Sequence, residues 1–151
     1  MSGLIKLSVK TIVMGQQGSF SLLLTDEEER TVLPIVIGAF EAQSIALVLE
    51  GESPPRPLTH DLLVSFCNTL GGRVEQIIIN DIMENTYYAE VHLQRNGESF
   101  TIDSRPSDAV ALALRVDAPI YMVPGLIEFT MDYQELFPDS EEPPPPHENN
   151  E

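Results

Sequence analysis

Tryptophan is absent from this 151-residue chain, cysteine occurs once, and eight Lys and Arg face 24 Asp and Glu, a formal net charge of −16. One cysteine excludes a disulfide within the chain, so the core holds by packing alone. A chain of this length buries roughly 70% of its unfolded surface, which suffices. The shortage of bases bears on partners, because nonspecific nucleic-acid binding relies on Lys and Arg displacing counterions. Both lysines, Lys6 and Lys10, lie near the N-terminus, and no basic stripe or tail can be drawn. Any nucleic-acid site must therefore be local or assisted by divalent cations. Apolar runs of the roughly 18 residues needed to span a membrane are missing, as is the apolar stretch of a signal peptide. The expectation is a cytoplasmic protein with no membrane partner.

Missing motifs narrow the chemistry. The chain has no His-x-x-x-His, no Cys-x-x-Cys, no Gly-x-x-x-x-Gly-Lys-Ser/Thr and no Gly-x-Ser-x-Gly. A zinc protease, a P-loop NTPase and an α/β-hydrolase are thereby disfavoured.

What is present reads as one domain with a tail. From Glu135 onward there are six acids, no bases and a run of prolines, Pro143 to Pro146. Residues 135–151 are read as an acidic, proline-rich disordered tail and residues 1–134 as the domain, still acidic at about −10. Within the domain, alternation gives strands over 4–13, 19–24, 31–37, 74–80, 86–94, 98–102 and 119–123, with Asn96-Gly97 as the clearest hairpin signal. Asp26 to Glu29 reads as a solvated hairpin tip. Helical spacing gives helices over about 39–50, 59–70 and 107–116, the last apolar on most sides and so central. In the second helix Thr59 is the expected N-cap, and Leu63, Phe66, Cys67 and Leu70 at i, i+3, i+4, i+7 read as a core face. Residues 125–136 fit either a strand or a helical turn. The sum is an α+β fold: a mostly antiparallel sheet, free to curl strongly, with three main helices packed on it.

Two phrases stand out, Arg56-Pro57-Leu58-Thr59-His60-Asp61 and Asp103-Ser104-Arg105-Pro106-Ser107-Asp108, each just before a helical run. Proline fixes φ where the missing N–H costs nothing, hydroxyls can cap, and an aspartate in the first turn meets the helix dipole. Two readings compete at each. In one, Asp103 and Asp108, with Glu41 near the start of the first helix, offer hard oxygen ligands to Mg²⁺ or Mn²⁺. Arg56, Arg105, Ser104 and Ser107 then hold phosphate at unpaired N–H groups, and His60 and Asp61 move or direct protons. In the other, Asp108 complements the dipole, Asp103 pairs with Arg105, and His60 and Asp61 are solvent-facing first-turn residues. His92, on the polar face of a strand, reads as a surface residue.

Three phrases taken together, residues 33–42 (LPIVIGAFEA), 56–62 (RPLTHDL) and 102–109 (IDSRPSDA), resemble the bifunctional nuclease domain family in sequence, order and spacing. The resemblance covers roughly residues 4–129. It implies a compact α+β domain, often oligomeric, related to plant proteins that cut both DNA and RNA, with Glu41, His60, Asp61, Asp103, Arg105 and Asp108 as family-motif positions. Two functions of different class follow. One is a metal-dependent nuclease acting on DNA and RNA, single-stranded substrates included. The other is a noncatalytic, homo-oligomeric interaction or regulatory module that recruits a protein partner.

Overall fold

The alternating stretches form one open sheet. In the computed structural model, which describes residues 3–138, eight strands take the order β6-β5-β4-β7-β1-β2-β3-β8. They are β1 (Ile5–Met14), β2 (Phe20–Asp26), β3 (Thr31–Ile37), β4 (Arg73–Met83), β5 (Thr86–Arg95), β6 (Glu98–Ser104), β7 (Ile120–Met122) and β8 (Met131–Asp132). All neighbours run antiparallel except β4 and β7. Two meanders, β1-β2-β3 and β4-β5-β6, are thus joined by β7, which the chain reaches through a helix. The turn between β5 and β6 carries Asn96 at φ 50° and Gly97 at φ 80°, the two positive angles of a hairpin turn that matches strand twist.

Three main helices, α1 (Ala39–Leu49), α2 (Thr59–Thr69) and α3 (Pro106–Val116), pack on the sheet. α3 is central as its composition demands, with Ala109, Val110, Ala111 and Ala113 fully buried. Its small residues let it lie close over Ile77 and Ile79 of β4 and Ala89 and Val91 of β5. Burying a side chain such as Ile77 or Ile79 contributes roughly 1.5–3 kcal/mol. The opposite face of β2 and β3 has a smaller cluster, in which Leu23 and Val32 pack with Tyr133 of the short helix α4 (Tyr133–Leu136), and with Leu136 and Phe137. The stretch that fitted either strand or turn contains both, β8 followed by α4, after a 3₁₀ segment over Pro124–Phe129. Most of the expected tail, residues 139–151, lies outside the described residues.

Three expectations for α2 are corrected. Its N-cap is Leu58, in extended conformation, and Thr59 is already the first helical residue. The reason is Asp61: its carboxylate reaches back to accept the Leu58 N–H at 2.8 Å, the N3-to-N-cap half of a capping box. This moves His60 from N1 to N2 and Asp61 from N2 to N3, and His60 is buried rather than solvent-facing. The stripe of Leu63, Phe66, Cys67 and Leu70 is apolar but does not enter the core, for Phe66 and Leu70 are 61% and 62% exposed. Spacing identified an apolar face, and the sheet supplies little to cover it. α2 stops where expected, Gly71 taking φ 82° while the Gly72 N–H closes on the Cys67 carbonyl at 2.8 Å.

Register fixes which way the β6 side chains point, because directly opposed residues share a face. Phe100 sits opposite Leu93 and Ile102 opposite Val91, on the helix side. Asp103 sits opposite Glu90 and Thr101 opposite His92, on the other side.

Candidate active site

The two Arg-Pro corners meet. His60 at the start of α2 holds Asp108 in the first turn of α3 through Nε2 and Oδ1 at 2.9 Å. The other imidazole nitrogen, Nδ1, lies 2.7 Å from Ser44 Oγ on α1. Arg115, in the last turn of α3, donates from Nη2 to the same Ser44 Oγ at 2.9 Å. A guanidinium can only donate, so Ser44 Oγ accepts from Arg115, and a carboxylate can only accept, so His60 Nε2 carries the hydrogen given to Asp108. With the ring neutral, Ser44 gives its own hydrogen to Nδ1 and the polar chain runs one way, Arg115 to Ser44 to His60 to Asp108.

Arg105 closes the front of this hub. Its Nε donates to Asp108 Oδ2 at 2.9 Å, and its Nη2 to Glu41 Oε1 at 2.6 Å, so one guanidinium joins the starts of α1 and α3. These bonds push the Arg105 guanidinium further up, Glu41 contributing most and Asp108 next. The hub is layered: the Arg115 and His60 side chains are 8% and 9% exposed, whereas that of Arg105 is 67% exposed. Behind it, Arg115 Nε donates to Asp61 Oδ1 at 2.8 Å. The Asp61 carboxyl is held below the usual carboxylate range, first by the Leu58 N–H and then by Arg115.

The expected site residues thus divide. Glu41, His60, Asp61, Arg105 and Asp108 belong to one connected cluster. Asp103 points to the far face of the sheet, beside Glu90 and His92, which are themselves paired at 3.0 Å. Ser104 Oγ donates to the Arg105 carbonyl, Ser107 is buried under the α3 start, and Arg56 lines a separate cavity with Pro57, Asp61 and Arg115. The expected Asp103–Arg105 pair does not form, because Arg105 reaches for Glu41 and Asp108 instead.

Sequence reasoning passed over Ser44 and Arg115. Both had a signal. Ser44 is three residues after Glu41 on one helix flank, and Arg115 is seven after Asp108, two turns along the same face of an otherwise apolar helix.

A divalent cation of the Mg²⁺ or Mn²⁺ class needs several oxygen ligands converging on one point. Here Glu41 and Asp108 converge on Arg105 and Asp103 faces away, and among the described residues no three His, Cys, Asp or Glu side chains are placed to hold a metal ion. The donor set does not fit such an ion as it stands.

The profile of the bifunctional nuclease domain matches residues 22–131, which include every member of this hub. The chain belongs to the bifunctional nuclease domain family. Among its relatives, an uncharacterized protein of Mycobacterium tuberculosis is 46% identical over 101 residues, covering 67% of this chain and 60% of that protein. Bifunctional nuclease 2 of rice is 28% identical over 102 residues, 66% of this chain and 31% of the rice protein. Bifunctional nuclease 2 of Arabidopsis thaliana is 24% identical over 92 residues, covering 59% and 28%. The chain therefore spans 60% of the bacterial relative and under a third of the plant ones. All three family phrases are accounted for physically: the first brings Glu41, the second His60 and Asp61, the third Arg105 and Asp108. No helix among the described residues is long and apolar enough to cross a membrane.

Proposed function

We propose that this chain cleaves phosphodiester bonds in DNA and RNA, single strands included, at the hub where Arg105, Asp108 and Glu41 face solvent. The observation that supports it most is the shared guanidinium: Arg105 is exposed, yet two carboxylates of the same chain already occupy it. A phosphodiester oxygen carries the charge those carboxylates carry, and can replace one of them on the guanidinium. The exchange leaves Asp108 a free carboxylate oxygen with His60 still bonded behind it. Asp108 is then placed to take the proton of the attacking hydroxyl or water as its oxygen bonds to phosphorus, Arg105 to hold the phosphoryl charge that builds up, and the proton to pass from Asp108 to the departing sugar oxygen as its P–O bond breaks. His60, Ser44 and Arg115 are positioning residues: they hold the Asp108 carboxylate in one orientation from within.

Asp108→Asn tests this directly, assayed on single-stranded DNA and RNA with protein purified over several orthogonal columns, with EDTA and with added Mg²⁺ or Mn²⁺. Cleavage is expected to fall at least about a hundredfold, the scale of losing a general base. Cleavage unchanged by Asp108→Asn overturns the assignment. Activity that appears only with added metal would overturn the metal-free arrangement of Arg105 and Asp108.

The second reading, a noncatalytic homo-oligomeric module that recruits protein, is favoured by one observation of its own. An apolar surface on α2 and β6 is left uncovered.

A further inference from the structure

Arg105 stands between two cavities and is the one side chain that lines both. The first, about 480 Å³, opens between the starts of α1 and α2. The second, about 440 Å³, opens between the end of β3 and the β4–β5 turn. The two are equipped alike. One holds Phe40, the amide of Gln43 and the hydroxyl of Thr59; the other holds Phe129, the amide of Asn85 and the hydroxyl of Thr86. Phe40 is 87% exposed and Phe129 40%. None of the four polar side chains has a hydrogen-bond partner among the described residues.

An aromatic face, a free amide and a free hydroxyl match what a nucleoside presents. Any base can stack on the ring, the amide both donates and accepts at the base edge, and the hydroxyl meets the sugar oxygens. Two such sets flank one guanidinium. We propose that the hub takes one phosphodiester with a nucleoside in each cavity, so that it recognises a single dinucleotide, and free dinucleotides are substrates as well as long strands. The inference rests on the carboxylate-for-phosphate exchange at Arg105 proposed above. The phosphate sits on Arg105, one base on Phe40 and the other on Phe129. Water adds its oxygen to phosphorus, the bond to one sugar oxygen breaks, and the water's proton ends on that oxygen, leaving a nucleoside and a nucleoside monophosphate.

Charge sets the length. On a molecule of net charge −16, only Arg56 and Arg95 among the described residues carry no ion pair, so phosphates beyond the first meet repulsion more than partners. A larger groove along α2 also reaches Arg105, but it suits a nucleoside less well, since its one amide, Gln94, already accepts from Arg73 at 2.8 Å.

Dithymidine joined through a phosphinate, with methylene in place of both bridging oxygens, keeps the single negative charge and cannot be cut. Titrated into the full chain by calorimetry, it is expected to bind, and the all-phosphinate hexathymidylate to bind no more than about tenfold more tightly per step. Phe40→Ala and Phe129→Ala should each weaken the dinucleotide about tenfold, the scale of one base stacked on an aromatic side chain. Phe40→Tyr and Phe129→Tyr, which keep the ring, should bind as the parent does. Removing one base from the analogue should cost the parent as much, and should then make one alanine variant, and not the other, indistinguishable from the parent. A parent that fails to bind the dinucleotide, or alanine variants that bind it as the parent does, overturns the inference. Cleavage of a long strand with thymidylyl-thymidine left intact overturns it too and leaves cleavage standing. Binding as expected, with neither cut, overturns the cleavage reading and leaves the two-nucleoside site standing.

Discussion

Gly38 shows how far the hub depends on a missing side chain. A Cβ built on it would lie 2.5 Å from Glu41 Oε2, the far end of a flexible side chain that can swing aside. Gly38→Ala should therefore free one face of Arg105 and leave the fold nearly intact. The cost is expected at about 0.5–1.5 kcal/mol, for a poorer N-cap on α1 and a weakened ion pair. Under the proposed exchange, Arg105 with one competitor removed should bind a non-cleavable oligonucleotide about threefold more tightly, a modest gain because the pair is partly exposed. Titration of such an oligonucleotide by fluorescence anisotropy would read the change. Weaker binding in a folded Gly38→Ala protein would count against the exchange.

At the scale of elements, Asp61 joins the α2 start to the α3 end, and its titration gives stability a pH dependence with a definite sign. Its carboxyl is depressed in the folded chain and sits at about 3.9 when unfolded. The stabilisation is thus fully present above about pH 5 and is lost as pH falls through the lower folded value. Asp61→Asn should lose about 1–2 kcal/mol at neutral pH, since the buried Arg115 guanidinium loses its charged acceptor. The gap from the parent should shrink toward acid. Urea midpoints measured from pH 7 to pH 3 would show the two curves converging, and parallel curves would contradict the assignment.

The same elements show what the sequence made legible. Strands with one wet face were readable from alternation: Ala89, Val91 and Leu93 do turn inward, and Glu90 and His92 outward. α3 was readable because a helix apolar on most sides has to be central. α2 misled because periodicity states which face is apolar and not whether anything meets it. His60 misled for a different reason, since its burial comes from Ser44, sixteen residues away, and Asp108, forty-eight residues away. Chain-distant pairings of this kind carry no local signal, and the expectation that Asp103 would join Asp108 failed because strand pairing turns it to the opposite face.

For the whole molecule, charge decides how nucleic acid can be held. Lys6, Lys10, Arg30, Arg73, Arg105 and Arg115 all have an acidic partner, and among the described residues only Arg56 and Arg95 have no ion pair. Few phosphates can be neutralised at once. With one or two contacts on a single strand, log K should fall with log salt at a slope of only about −0.7 to −1.4. Filter binding of the non-cleavable oligonucleotide across a salt series would give that slope. A value several times steeper would require a basic surface that the described residues do not have.

The hub also has a mechanical meaning. Glu41, His60 and Asp108 lie in the first turns of three helices and are tied through Arg105, Ser44 and Arg115. A helix normally frays from either end independently, but here lifting one start breaks bonds anchored in the other two. α1 and α2 must then loosen from their far ends, whereas α3 is held at both, Arg115 in its last turn being bonded to Ser44 and Asp61, so the corner proposed to do the chemistry is the part of the helical layer that stays assembled longest under load.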